Sequence, residues 1–241
     1  MRYLVNLSYD GSKFYGYQIQ KNKASVEGEL ERVLSKILNT KINTIGSSRT
    51  DRGVHAVNQY CHFDFDKKLD LKKITYAMNG LIDKSIFIRK ISMVTDDFHA
   101  RYSVYKKEYI YKINMGEYDP INKDYVFQYN KIINKDLLDR FCTLMSGLHN
   151  YRSFTSDKEK KDYERNVTIT YKIQNKILYL KFESTGFLRY MIRNIVGLLL
   201  DINDGKKSLN DISYILNSMD RTSCGRCANP EGLYLNKIDF M

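Results

Sequence analysis

Apolar and polar positions alternate from the first residues of the chain. Tyr3, Val5, Leu7 and Tyr9 fall on one side of residues 2–9, with Arg2, Asn6 and Ser8 on the other, the period of a half-buried strand. DGSKFYGYQ, residues 10–18, breaks this alternation with two glycines. The period then becomes helical. Val26, Leu30, Val33, Leu34, Ile37 and Leu38 share a stripe, Ser25 stands as N-cap, and Glu27 and Glu29 occupy the first turn. After a charged loop at 46–56, Cys61, Phe63 and Phe65 alternate over 59–66 as a strand. Leu71, Ile74, Met78 and Leu81 predict a helix over 70–81, and the apolar run 86–94 predicts a strand. Residues 96–114 begin as a loop and become an alternating strand with Lys107, Tyr109, Tyr111 and Ile113 on one face.

The second half repeats this recipe without visible sequence repetition. Asn134 is placed to cap a helix running to about Leu148, with Leu137, Leu138, Phe141, Leu144, Met145 and Leu148 as its stripe. The charged stretch 156–165 reads as a solvated or RNA-facing loop, followed by strands near 167–173 and 177–183. Residues 187–202 predict a nearly buried helix carrying Arg189 and Arg193. Ser208 with Asp211 forms an S-x-x-D box for a last helix, and 232–240 closes the chain as a strand. No Pro/Gly/Ser-rich linker divides the halves. The simplest reading is an α/β (α+β) protein with a mixed or antiparallel sheet and two similar lobes, 1–103 and 104–241.

Composition narrows the function. With 39 Lys plus Arg against 28 Asp plus Glu, the net charge is +11, which favours a polyanionic partner, most simply nucleic acid. The 20 tyrosines add aromatic faces on which unpaired bases can stack. No run approaches the roughly eighteen apolar residues needed to span a bilayer, so no membrane partner is expected. The N-terminus MRYLVNLSYD is strand-like rather than a signal peptide, so a cytoplasmic address is expected. Cys224 and Cys227 form a single C-x-x-C, two thiolates where a structural zinc wants four ligands, so the cysteines are read as reduced and mostly structural.

GSSRTDRGVHA, residues 46–56, concentrates the candidate chemistry. It holds one carboxylate, Asp51, between Arg49 and Arg52, with Gly46 and Gly53 on either side and His55 four residues beyond. Neighbouring positive charge keeps such an acid ionised, so it suits a nucleophile, a fixed counter-charge or a metal ligand. A metal-dependent nuclease using Asp51 and His55 would need a second nearby carboxylate. Between Gly46 and Asn58 there is none besides Asp51. Arg193 on an apolar helical stripe needs an anionic partner, which by itself points towards an acid such as Asp51.

The chain resembles the TruA family of pseudouridine synthases, and the resemblance runs nearly end to end. It is carried by YDGSKFYGYQ, by Arg49, Thr50, Asp51, Gly53, Val54, His55 and Ala56 of the signature loop, by DDFHARYS, KEYIY, FLRYMIRNIVG and EGLYL, in family order. The resemblance implies that Asp51 is the catalytic aspartate, Tyr109 the tyrosine packed against the target base, and Arg193 the arginine paired with the aspartate. It puts Arg49 where the target nucleotide is extruded and Leu233 at the uracil pocket. Arg52, His55 and Arg101 are taken as flanking substrate-site residues, His55 chiefly through structural hydrogen bonds. The implied fold is a pair of RNA-recognition-like lobes sharing a central, mainly antiparallel sheet, helices on one side and an RNA-binding cleft between the lobes, in a homodimer.

The implied reaction is uridine to pseudouridine at positions 38, 39 and 40 of the tRNA anticodon arm, and it needs no cofactor and no metal. Whether the aspartate attacks the ribose C1′, the uracil C6 or assists a glycal route stays open. Tyr17 stands where the family has Trp, Arg52 follows the aspartate, Ser47 and Ser48 precede Arg49, and CGRCANPEGLYL carries an unusual cysteine pair. These departures leave a ribosomal RNA uridine as the alternative substrate, and a non-catalytic RNA-binding protein as the rival class.

Overall fold

A computed structural model of the chain describes residues 1–157 and 159–241. In chain order the elements are β1 (Arg2–Tyr9), α1 (Val26–Leu38), β2 (Ile45–Gly46), β3 (His55–Asp64), α2 (Leu71–Leu81), β4 (Ile86–Val94), β5 (Val104–Asn114), β6 (Phe127–Gln128), α3 (Lys135–Met145), β7 (Gly147–Asn150), β8 (Glu164–Gln174), β9 (Ile177–Ser184), α4 (Met191–Asn203), α5 (Asp211–Ser218) and β10 (Leu233–Phe240). The fold is mixed α/β, with antiparallel pairing dominant, as the hydrophobic pattern predicts. It forms two compact units, residues 1–105 with 234–241, and residues 106–233.

In the first unit the strand order is β4-β1-β3-β10, with β2 on β3. β1 is antiparallel to both neighbours, and β10 joins β3 in parallel through Tyr234 and Leu235 against His55 and Ala56. The alternation of β1 does what it predicts: Tyr3, Val5, Leu7 and Tyr9 are all buried. Ser25 caps α1 by accepting the Gly28 N–H, and Asp70 caps α2 by accepting the Lys73 N–H. α1 ends on Asn39 in the left-handed conformation that asparagine tolerates. In α2 only Ile74 and Met78 are buried, and Leu81 at its end is exposed. β3 is longer than the 59–66 pattern suggests, starting at His55 inside the signature stretch, with Phe65 beyond its end.

In the second unit the order is β5-β9-β8-β7, with β6 on β5. Tyr109, Tyr111 and Ile113 of β5 meet Phe182, Leu180 and Leu178 of β9 in a fully buried layer. Three boundaries differ from expectation. α3 stops at Met145, because Gly147 turns the chain with φ +107 into β7, and Leu148 is 66% exposed there. Leu144, also placed in the stripe, is exposed, and Cys142 is buried in its stead. α4 begins at Met191, not 187, because Tyr190 adopts a left-handed conformation, so Arg189 precedes the helix. α5 has Asn210, not Ser208, at its N-cap. Asp211 still accepts from both the N–H and the hydroxyl of Ser208, so the box folds as a turn in front of the helix.

In the charged loop at 156–165, Lys158 lies outside the described residues. Arg165 pairs with Asp162, and Tyr163 lies under Arg152 with 4.9 Å to the ring centre.

Candidate active site

The loop carrying Asp51 is a tight turn closed by the Val54 N–H on the Asp51 carbonyl. It emerges from β2 and enters β3, and the first unit grips it from both sides. Gln59, fully buried on β3, uses its side-chain amide as a strand would use its backbone. Nε2 donates to the Ser48 carbonyl at 2.8 Å, and Oε1 accepts the Ser48 N–H at 3.3 Å. Nε2 also reaches the Tyr9 hydroxyl, which shares a 2.8 Å hydrogen bond with Thr50 Oγ1. Burial pushes the Tyr9 phenol up to about 12, so this network stays neutral.

The YDGSKFYGYQ stretch forms the other jaw. A Cβ on Gly11 would stand 1.9 Å from the Val54 carbonyl oxygen, so only glycine lets the two motifs touch. The Gly11 N–H donates to Nδ1 of His55 at 3.1 Å, with Oδ1 of Asp10 3.3 Å from the same nitrogen. His55 is buried and stacks on Tyr234 at 4.7 Å. Its ring therefore ties three segments together. Tyr17 donates its backbone N–H to the Thr50 carbonyl, and its ring lies where a Cβ on Gly46 would come within 2.4 Å. The Tyr at the family's Trp position thus fills the space above Gly46.

Of the remaining candidates in this unit, Arg52 is exposed and lies over the Tyr15 ring at 4.4 Å. Arg49 is exposed and Arg101 half-buried. Burial raises the Glu27 carboxyl, and the Ile19 N–H and the Arg49 and Arg101 charges act against that rise. The backbone N–H of Arg101 donates to His99 Nδ1.

The second unit contributes Tyr109, Arg193 and Leu233. Tyr109 is 6% exposed, with its ring edge-on to Phe187 at 5.3 Å. Arg193, half-buried in the first turn of α4, donates Nε to the Ala228 carbonyl at 2.8 Å and lies over the Tyr190 ring at 5.3 Å. The Ala228 N–H returns to the Arg193 carbonyl. Glu231, raised by burial, and Tyr111 both sense the Arg193 charge. Leu233 is buried at the start of β10.

The segment 221–232 presses on α4 so closely that a Cβ on Gly197 would meet the Arg226 carbonyl at 1.9 Å. Asn194 locks the segment from the helix side, donating to the Phe154 carbonyl and accepting from Arg221. Cys224, buried and raised to about 12 by its burial, keeps its proton and donates to the Asn194 carbonyl. Among the described residues no group of three or more His, Cys, Asp or Glu side chains is placed to hold a metal ion. Among them, too, no helix is long and apolar enough to cross a membrane.

Residues 7–103 and 142–241 match the family model described as tRNA pseudouridine synthase. The chain belongs to that family. It is 37% identical over 240 residues to the tRNA pseudouridine synthase A of Mycoplasma genitalium, covering 99% of this chain and 98% of that protein. It is also 37% identical to the enzyme of that name from a Geobacillus species, over 99% of this chain and 98% of that one, and 35% identical to the one from Limosilactobacillus reuteri, over 99% and 96%. The chain is accordingly an RNA pseudouridine synthase, an isomerase. The residues that sequence reasoning missed are the supports: Gln59, Tyr9, Asp10 and Asn194. Gln59 had a signal, being a polar side chain on the same alternating face as Cys61 and Phe63.

Proposed function

We propose that this protein isomerises uridine to pseudouridine in the tRNA anticodon arm, at positions 38, 39 and 40, with Asp51 as the catalytic carboxylate. The observation that carries the reading is the grip on the Asp51 turn. A loop held through Gln59, Thr50, Gly11 and Gly46 fixes one carboxylate in place, as a reaction without cofactor requires. The relatives' names supply the substrate class.

In this reading the uridine leaves its stack, at a cost of a few kcal/mol offset by contacts in the site. Arg49, exposed beside the aspartate, occupies the gap left in the RNA, and Tyr109 and Leu233 pack against the uracil. Arg193, whose Nε is committed to the Ala228 carbonyl, is the arginine that the family resemblance pairs with the catalytic aspartate, and a guanidinium in that role favours the ionised carboxylate. The carboxylate then assists rupture of the C1′–N1 bond, by attack at C1′ or C6 or through a glycal, the uracil rotates, and C5 joins C1′. The C5 proton leaves last and N1, freed from the ribose, takes up one, so the product is an isomer with no net change in atoms or electrons. Arg101 and Arg52 contact phosphates. The enzyme works as a cytoplasmic homodimer.

Asp51→Asn preserves shape and removes charge. Pseudouridine formation on a tRNA transcript should fall at least about a thousandfold with the thermal midpoint unchanged. Unaltered activity would sink the assignment. Product at a ribosomal site with tRNA untouched would keep the chemistry and replace the substrate.

A further inference from the structure

Two irregularities in the first unit's sheet sit side by side. Between Leu7 and Tyr9, β1 offers one residue, Ser8, while β3 offers two, Val57 and Asn58. Between Asn6 and Leu7, β1 offers none, while β4 inserts Arg89. Adjacent bulges at one level of a sheet are devices for re-aiming a side chain. Here the redirected side chain is Arg89. Its Nε donates to the Val57 carbonyl at 3.2 Å, so the arginine starts on β4, crosses β1 and ends on β3. Val57 is one of the two residues that bulge from β3, and the residue inserted in β4 supplies the donor to its carbonyl.

A guanidinium has five N–H donors, and one is spent on Val57. Arg89 is exposed, so its outer edge faces solvent from a fixed position. The register places Phe87 opposite Ser8 and Lys90 opposite Asn6, both on the face turned away from buried Val5 and Leu7. Phe87 is 55% exposed. The other residues at these register positions are Ser8, Asn6, Asn58 and Tyr60, none of them acidic. An exposed aromatic ring, an anchored arginine and a lysine on one carboxylate-free stretch of sheet match a phosphodiester strand with an unpaired base, since the ring stacks and the cations take phosphates.

We propose that Phe87, Arg89 and Lys90 form an accessory RNA-binding strip, which grips a segment of the substrate RNA outside the nucleotide being isomerised. The strip rests on the reading of the chain as an RNA-modifying enzyme. It begins close to the Asp51 loop in the chain, since Val57 follows Val54 by three residues, and the Asp10 N–H bonds the Ser85 carbonyl just before β4. An RNA bound at the loop therefore has its flanking nucleotides within reach. The bulges and the anchor cost a regular ladder. They bring an arginine that need not be ordered when the RNA arrives.

The test measures affinity of the full-length protein for an unmodified tRNA transcript and for a short anticodon-arm hairpin, across a salt series. Phe87→Ala and Lys90→Ala anchor no other element and serve as the primary variants. Arg89→Ala with Lys90→Ala is the stronger pair, and Lys36→Ala on the far end of α1 is the charge control. Phe87→Ala should weaken tRNA binding about tenfold. The Arg89/Lys90 pair should weaken it further and lower the slope of log affinity against log salt by about 1.5. Lys36→Ala should bind as wild type.

Wild-type affinity and slope in the Phe87 and Lys90 variants would overturn the strip. So would a loss of self-association in those variants with RNA affinity per protomer retained, which would make the strip a contact between copies. Asp51→Asn, assayed for pseudouridine formation on the same transcript, separates the two readings. If it abolishes activity while the strip variants bind normally, the strip alone fails. If it leaves activity intact, the catalytic reading fails.

Discussion

The loop bearing Asp51 and the segment running past Arg193 are each pressed onto a neighbour by one glycine, yet they are held by different chemistry. Around Asp51 the grips are neutral and buried: the Gln59 amide on Ser48, the Tyr9 hydroxyl on Thr50, His55 on the Gly11 N–H. Past Arg193 the buried contacts of Asn194 and Cys224 are joined by charged, partly exposed ones. Arg226 pairs with Asp201 at 3.2 Å and with Asp204 at 2.9 Å, and Asp204 also holds Lys131 and the Tyr129 hydroxyl. Neutral buried hydrogen bonds fix a geometry whatever the salt, and leaving one unmade is expensive. Ion pairs tolerate small displacements and weaken with screening. The contrast suits an aspartate that must not drift and a segment that only has to stay closed over a helix.

The largest effect should come from what the two regions share. Gly11→Ala and Gly197→Ala each drive a Cβ into a backbone carbonyl, so each should cost about 3 kcal/mol or more. Denaturant titration of both variants checks this, and a near-neutral result for either would show that its loop gives way.

Acid should separate the regions next. His62, buried in the first unit, accepts the Ala100 N–H, and its pKa is lowered to about 4, first by burial and then by Arg2 and His99. Unfolded, it takes up its proton near 6.5. Between these values the unfolded chain binds more protons, so stability falls as pH drops through the window, by about 3 kcal/mol in all. His62→Asn, which keeps an acceptor, should flatten the profile between pH 6.5 and 4 when thermal midpoints are compared.

Gln59→Leu strips the neutral grip. About 2 kcal/mol of stability should go with the unmet Ser48 groups, and turnover on tRNA should drop about tenfold to a hundredfold as Asp51 drifts. A stability loss with normal turnover would show that the loop holds itself.

The second region should yield last and least. Asp204 is held down to about 2, first by Lys131 and then by Tyr129 and Arg226. Its depressed value adds stability above about pH 4 that is lost as pH falls through 2. Since Lys131 is 62% exposed, about 1 kcal/mol is the expected size. Amide exchange at acid pH should therefore open the β1–β3 ladder before the α4 helix. Asp204→Asn should remove the low-pH component alone.

Most elements were legible because their residues repeat at a period. β1 alternates, α1 carries a stripe that begins after Ser25, and β4 matches its apolar run residue for residue. The errors fell where a single backbone conformation overrules a pattern. α3 looked longer because Leu148 continues its stripe, and α4 looked longer because Tyr190 gives no outward sign of its left-handed φ. Among the candidate residues, Asp51 stood out as a lone acid between arginines. Gln59 went unread because the meaning of a polar side chain on a core face depends on what lies across from it.

The sequence by itself determined the class of elements, the basic character and the motif blocks that carry the family likeness, because these depend only on local spacing and residue type. Only the tertiary structure decided that β10 returns to the first unit, that DGSKFYGY is the clamp of the signature loop, and that facing bulges throw Arg89 across three strands. Each of these joins residues far apart in the chain, where the outcome turns on which surfaces fit within ångströms, and one-dimensional periodicity carries no record of that fit.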